Sequence, residues 1–133
     1  MSAPDGVEII VNVLLADTAV KALIGDKVYG GIVPPNAVPP LILVRSIARR
    51  PVTNPTTQWW EIATAVDCQS EDPSGSFQLA CAAEDAINGI VGAQTGSVVQ
   101  ASRVTGISSI EDGAFTPTRF RNVATAEITA RKP

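Results

Sequence analysis

The most informative absence from this sequence is histidine, which does not occur among its 133 residues. Without imidazole, the chain cannot form a Ser–His–Asp or Cys–His catalytic arrangement, and the usual histidine ligands of zinc and non-haem iron are missing. Only two cysteines occur, Cys68 and Cys81, so neither a disulfide framework nor a four-cysteine metal site can form. We expect two buried thiols that behave as small apolar side chains, or a single disulfide if the fold brings them together.

Charge and long apolar runs are also scarce. Charged residues make up 17% of the chain, and ten basic residues stand against thirteen acidic ones, which gives a formal net charge of −3. A mildly acidic chain is a poor candidate for a protein that coats DNA, because phosphate binding needs clustered positive charge. Apolar runs such as 41–44 are too short to cross a bilayer, and residues 1–6 carry no basic start of a signal peptide. We therefore expect a cytoplasmic protein with no membrane partner.

Sequence motifs for catalysis or cofactor binding are missing as well. Neither the phosphate-loop pattern G-x-x-x-x-G-K-[ST] nor the pattern G-x-S-x-G occurs. Adjacent carboxylates occur at 71–72, 84–85 and 111–112, but neighbours in sequence do not converge on one site. They suit a helix start, a solvated helix face and a turn, respectively. We expect no catalytic residue, no metal site and no cofactor.

The residues that are present favour one compact domain spanning 1–133 with helices at two places. Hydrophobic residues make up 45% of the chain, which is typical of a globular protein. Ser2, followed by Pro4 and Asp5, predicts the start of a helix whose apolar stripe runs through Leu15. Asp17 caps a short second helix that ends at Gly25. Asp72, followed by proline, begins the third helix, for which we predict an end at Gly92. Side chains predicted to point inward from these helices are Val20, Leu23, Ile24, Leu79, Ala83, Ala86, Ile87 and Ile90.

Apolar alternation predicts strands between and after the helices. A short strand is expected within 28–33, and a central strand covered on both faces over 41–48. A projecting loop is expected over 49–56, followed by a long strand over 58–69 with clean alternation. Its predicted core face carries Trp60, Ile62, Thr64, Val66 and Cys68, and its other face carries Trp59, Glu61, Ala63, Ala65 and Asp67. A closing hairpin is predicted from strands 98–110 and 118–130, joined by 111–117. The order predicts an α+β fold, a mostly antiparallel sheet with two main helices packed on one face.

Arginines and one tryptophan are the candidate contact residues. Arg49 and Arg50 fall in the predicted projecting loop, whereas Arg119 and Arg121 repeat at strand spacing on one face. They suit either a solvated face that keeps sheet edges from pairing, or ion pairing between subunits and local contact with nucleic acid. Because side chains alternate along a strand, Trp59 and its neighbour cannot share a face. We therefore expect Trp59 to be covered by a partner or to lie over an edge of its own subunit.

The first third of the chain resembles the opening of tailed-phage tail terminator, or tail completion, proteins. The resemblance rests on the run Leu14–Asp17, then Val20, then Leu23–Tyr29 with its Gly-Asp-Lys-Val-Tyr sequence, and then Pro34 and Pro39–Val44. The later order of a long strand, a helix with an apolar stripe and a closing hairpin is similar too. The match therefore extends over most of the chain, and its motifs are structural rather than catalytic.

The resemblance implies a ring, commonly of six subunits, on the head-proximal end of the tail tube. Such a ring ends tube polymerisation and offers a docking face to neck or head-completion proteins, while DNA passes through its lumen without sequence-specific binding. The protein would be made in the host cytoplasm and reside in the virion at the head–tail junction. Arg49 and Arg50 would reach a neighbouring subunit or the tube. Trp59, Arg119 and Arg121 would lie on the sheet face used between subunits or toward the lumen, and loops 49–56 and 111–117 are candidates for ordering on assembly.

Two other interpretations are weighed against this one. Another neck protein, such as a head-closure or connector component, would also be a small structural domain, and its binding neighbour would distinguish it. A small cytoplasmic enzyme or ligand-binding domain with a carboxylate-bound metal is disfavoured by the missing histidines and phosphate loop. A rise in melting temperature on adding metal would favour that third interpretation, because a ligand of the native state stabilises it.

Overall fold

The computed structural model describes residues 3–52, 58–112 and 119–132, and it places three helices and six strands in those ranges. The helices are α1 (Gly6–Ala16), α2 (Thr18–Ile24) and α3 (Pro73–Ile87). The strands are β1 (Val28–Gly30), β2 (Leu41–Val52), β3 (Trp59–Ser70), β4 (Gly92–Gln94), β5 (Ser97–Asp112) and β6 (Arg119–Arg131). No helix of the described ranges is long and apolar enough to cross a membrane.

Each of the three helices begins after an aspartate, as the sequence predicts for α2 and α3, whereas α1 begins at the end of the predicted start signal rather than at Ser2. Asp5 accepts a hydrogen bond from the Glu8 N–H at 3.1 Å, and Asp17 accepts one from the Val20 N–H at 3.0 Å. Asp72 accepts one from the Gly75 N–H at 2.6 Å. Each carboxylate satisfies a backbone donor that has no partner within the first helical turn, and it also offsets the positive end of the helix dipole.

The end of α3 differs from the prediction. The helix stops at Ile87 rather than at Gly92, because Asn88 leaves the helical conformation and its side-chain oxygen accepts a hydrogen bond from the Val104 N–H at 2.8 Å. Gly89 then adopts a φ of 79°, a left-handed conformation that suits glycine. The chain thereby turns back to form β4, a strand that the sequence did not reveal.

The six strands form one sheet in the order β1-β2-β3-β6-β5-β4. Only the β1–β2 pair is parallel, and all other neighbours are antiparallel. Helices α1 and α3 pack on one face, so the predicted α+β fold with a mostly antiparallel sheet is confirmed. Because β3 and β6 are antiparallel, Trp59 at the start of β3 and Arg119 at the start of β6 lie at opposite ends of the sheet.

The core lies between the helices and one face of the sheet. The predicted core face of β3 is confirmed, since its last four members are buried and Trp60 packs against the cluster. Small side chains on β6 let the helices approach closely. Leu23 is the exception on α2, because it is 43% exposed while Val20 and Ile24 are buried. The side chains that fill the centre are Ile9, Ile10, Leu14, Leu79, Ala83, Ile87, Ala124, Ala126 and Ile128.

Strand β2 is longer and less covered than the sequence predicts. Arg49 and Arg50 lie in the strand, opposite Ile62 and Glu61, so the prediction of a projecting loop beginning at residue 49 is wrong. A β-bulge at Ile47 lets the strand continue past its apolar part, and in the described ranges no strand pairs with its outer edge beyond Val44. Residues 45–51 are exposed, so the prediction that the strand is covered on both faces through residue 48 is wrong for residues 45–48. The last part of the predicted loop, 53–56, and residues 113–117 of the predicted connection 111–117 lie outside the described residues.

Candidate assembly surface

The sheet face opposite the helices is hereafter called the open face. Its side chains are buried at one end, hereafter the closed end, and exposed at the other, hereafter the open end. The predicted alternation of β3 is confirmed, so Trp59, Glu61, Ala63, Ala65 and Asp67 all belong to this face. Yet Ala65 and Asp67 are buried, whereas Glu61 is exposed. The burial therefore changes along a single strand, and the two ends are described in turn.

At the closed end, a buried carboxylate is held by arginine. Asp67 is 1% exposed, and the Arg121 guanidinium contacts both of its oxygens, with an Nη2–Oδ2 distance of 2.6 Å. Arg45 approaches the same carboxylate at 3.9 Å, and the Gln69 amide donates to it at 3.3 Å. Charge-assisted bonds of this geometry compensate for the loss of water around a buried ion.

Arg119 extends this network to the segment that precedes β2. It donates to the Gln69 side-chain oxygen at 3.0 Å and to the backbone carbonyl of Ala37 at 3.5 Å. The proline-rich segment 34–40 is thereby tied to the end of the sheet. Arg119 and Arg121 lie on the predicted face, and both already bind groups of their own chain there.

At the open end, the sheet bears a hollow of about 740 Å³ with a charged rim. Alanines and threonine, rather than large side chains, line its base at Ala48, Ala63, Ala101 and Thr129. Two ion pairs border it: Arg50 with Glu61 at 2.6 Å, and Arg103 with Glu127 at 3.3 Å. These four charged side chains are about half to three-quarters exposed. The hollow is therefore a wide, shallow surface with balanced charge.

The five predicted contact residues divide between these two ends. Arg49, Arg50 and Trp59 lie near the β2–β3 turn, whereas Arg119 and Arg121 lie at the far end of β3 and β6. Ten residues of strand separate Trp59 from Gln69, the partner of Arg121, which corresponds to roughly 33 Å. The five residues consequently do not form one cluster.

Trp59 is partly covered by its own subunit. The Arg131 guanidinium lies 5.3 Å from the centre of the indole ring, within the range of a cation–π interaction. The side chain is half-buried, and Val52 is its cross-strand partner. The ring lies over an edge of its own subunit and retains an exposed part, so its cover by a partner stays a prediction.

Sequence reasoning missed most of the residues that line this surface. Arg103 and Glu127 pair across β5 and β6, and Arg50 pairs with Glu61, only because the strands adopt this register. Alternation shows which face a side chain occupies, but it does not show which residue lies opposite. The buried pair of Asp67 and Arg121 was hidden for the same reason.

The cysteines and carboxylates of the described ranges show no reactive arrangement. Cys68 and Cys81 are free thiols, and among residues 3–52, 58–112 and 119–132 no group of three or more acidic or sulfur ligands could hold a metal ion. Burial raises the pKa of the Cys68 thiol far above its ordinary value, and the nearby Asp67 and Cys81 raise it further. Cys68 therefore stays protonated and is a packing residue, since the thiolate is the nucleophilic form.

Charge is unevenly divided between the two layers of the molecule. All seven arginines lie on β2, β5 or β6, together with five acidic residues on the strands. The helices and their flanking turns (residues 3–27 and 71–91, hereafter the helix layer) carry eight acidic residues against Lys21 and Lys27. The helix layer is thus negative by six charges, while the strands are positive by two. Such a division favours contact between unlike layers of two molecules.

Comparison with known proteins now adds to this geometry. Residues 8–119 match the family described as tail completion protein gp17. The chain belongs to this family. It is therefore a structural protein of phage tails and a component of the virion, and the family predicted by the resemblance is confirmed. None of the curated proteins compared with this tail completion protein matches it.

A solved structure shares the fold. A chain from the structure titled "Virion of native gene transfer agent (GTA) particle" superposes with a TM-score of 0.70 at 15% sequence identity. The match covers 92% of each chain. At this identity the likeness concerns the fold, which is a helix layer on a mostly antiparallel sheet in both molecules.

Proposed function

We propose that this tail completion protein forms a ring, of six subunits, that caps the head-proximal end of the tail tube. The ring ends tube polymerisation and joins the tail to a neck or head-completion protein. Its contacts are with copies of itself, with the tube protein and with that neck protein, and it performs no catalysis. The family match over 8–119 carries this proposal, and the fold shared with a chain of a gene transfer agent virion supports it.

The division of charge supports a ring over a twofold dimer. Two helix layers placed against each other would bring negative surfaces together, whereas the strands carry a positive excess of two charges. Contact between the sheet of one copy and the helix layer of the next joins opposite charges instead. An interface between two different surfaces of one chain closes into a ring when its rotation permits, and otherwise continues as a filament.

The open face supports a role in docking. A sheet with one face free of helices can present a broad surface to a neighbour, and the alanine-lined hollow gives that surface a defined shape. Its charge pairs are internally balanced, so it would allow DNA to pass nearby without holding phosphate. Recognition by shape and charge alone is sufficient for a cap and requires no reactive group.

Particles assembled without this protein provide the test. If the protein ends tube growth, its removal yields tails of irregular or excessive length that do not join capsids, and supplying the purified protein restores joining. Tails of normal length that still fail to join would instead identify another neck or head-closure component. Normal particles would contradict both roles. Purification with the protein as bait adds a second readout, because a cap retains the tube protein whereas a head-closure component retains only the portal side.

A further inference from the structure

An exposed isoleucine on β2 forms an apolar projection with positive charge on both sides. Ile47 is the extra residue of the bulge between Ser46 and Ala48, and it is 54% exposed. Arg45 and Arg49 lie two positions before and after it, and both are exposed. Because the bulge shifts the alternation, Arg45 pairs with Ala65 on the open face and Arg49 with Ile62 on the helix side, so the two charges lie on opposite sides of the strand edge. Bulges and charged residues on a free edge oppose pairing with another strand. This edge is therefore suited to inserting a side chain rather than to extending the sheet.

A second surface is concave rather than projecting, and the charges beside it are negative rather than positive. A hollow of about 290 Å³ lies between α2, the start of α3 and the prolines before β2. Leu23, Pro39, Pro40 and Leu79 contribute apolar lining, and Leu23 is left 43% exposed there. Glu71 and Asp72 stand at its rim, and both are exposed. The hollow is thus apolar inside and negative at the border.

We propose that Ile47 of one copy inserts into the Leu23–Leu79 hollow of the next copy, with Arg45 and Arg49 facing Glu71 and Asp72. The two surfaces match in both apolarity and charge, and each repels a second copy of itself. Because they belong to different elements of the chain, the contact is head-to-tail, as a ring requires. An apolar anchor surrounded by charge pairs is a common organisation of protein interfaces. This inference rests on the proposed ring and assigns its contact.

Disulfide trapping tests the contact directly. A variant carrying Ile47→Cys and Leu23→Cys in a Cys81→Ser background is assembled into particles and oxidised. The contact predicts disulfide-linked multimers up to the size of the ring, whereas a variant carrying Ile32→Cys and Leu23→Cys should give none. Ile32 is the matched control because it is also a large exposed apolar side chain, at 82% exposure.

Substitutions supply an independent measurement by sedimentation of the purified protein and by incorporation into particles. Ile47→Ser should weaken association at least tenfold, while Ile32→Ser leaves it unchanged. Arg49→Glu and Glu71→Arg should each weaken association, and the variant carrying both should recover it, because the pair is restored with reversed sign.

These experiments distinguish failure of the Ile47 contact from failure of the proposed ring. A ring that survives Ile47→Ser and forms no 47–23 disulfide overturns the contact and leaves the proposed function standing. Absence of any ring, both in solution and in particles, overturns the contact together with the ring on which it rests.

Discussion

Arg121 holds the buried carboxylate of Asp67 from a diagonal position across β6 and β3, at 2.6 Å. Diagonal neighbours on a sheet are within reach of long side chains. The pair lies at the closed end of the open face, and the exposed hollow lies at the other end. The two ends of the open face therefore differ: the Asp67–Arg121 pair binds β3 to β6 within the subunit, whereas the hollow is exposed and is the surface that we propose for assembly.

Removing Arg121 should destabilise the subunit strongly. Arg121→Ala leaves the Asp67 carboxylate buried with only the more distant Arg45 and the Gln69 amide, and loss of a buried partner costs about 3 kcal/mol or more of unfolding free energy. Arg50→Ala removes an exposed partner of Glu61 and should cost less than about 1 kcal/mol. Urea denaturation of both variants measures the difference. Equal losses would contradict the distinction between the two ends.

Close contact at the start of α1 predicts a second stability difference. A Cβ atom at Gly6 would lie 2.4 Å from Cγ2 of Ile62, so Gly6→Ala forces α1 away from β3 and should cost about 1–3 kcal/mol. Gly106 has no atom within 4 Å of a Cβ added there, so Gly106→Ala should be tolerated. Thermal unfolding compares the two alanine variants. A Gly6→Ala protein as stable as the parent would show that this packing is wrong.

Filling the hollow should affect assembly without affecting folding. Ala101→Trp places a large ring in the exposed base of the hollow, on the sheet face opposite the helices. We expect an unchanged melting temperature and at least a tenfold loss of incorporation into particles. Ala93→Trp, at an exposed position of β4 outside the hollow, is the control. If both variants are incorporated as well as the parent, the hollow is not part of an assembly contact.

The two cysteines should react at very different rates. Cys68 is fully buried and its pKa is raised by burial, so at pH 8 it stays protonated and inaccessible to a thiol reagent. Cys81 is partly exposed and should react in the folded protein. Mass spectrometry after brief alkylation should find one label in native protein and two in denaturant. Rapid double labelling of native protein would disprove the buried position of Cys68.

The sequence predicts the elements of this fold better than it predicts their partners. The starts of α2 and α3 at Asp17 and Asp72 and the alternation of β3 are local features, and the structure confirms them. The end of α3 and the extension of β2 through Arg50 depend on tertiary contacts, namely the Asn88 bond to β5 and the Ile47 bulge. The secondary-structure propensities of neighbouring residues give no information on such contacts. The sequence indicated which arginines and which tryptophan are candidate contact residues. Which of them lie near one another, and with which carboxylates they pair, became known only from the strand register.

The most direct test of the central claim is a cryo-electron microscopy map of the assembled particle. The account predicts a ring of this protein at the head-proximal end of the tail tube, with several copies in head-to-tail contact. A map in which the protein is absent from the junction of head and tail, or present there as a single copy, would contradict it.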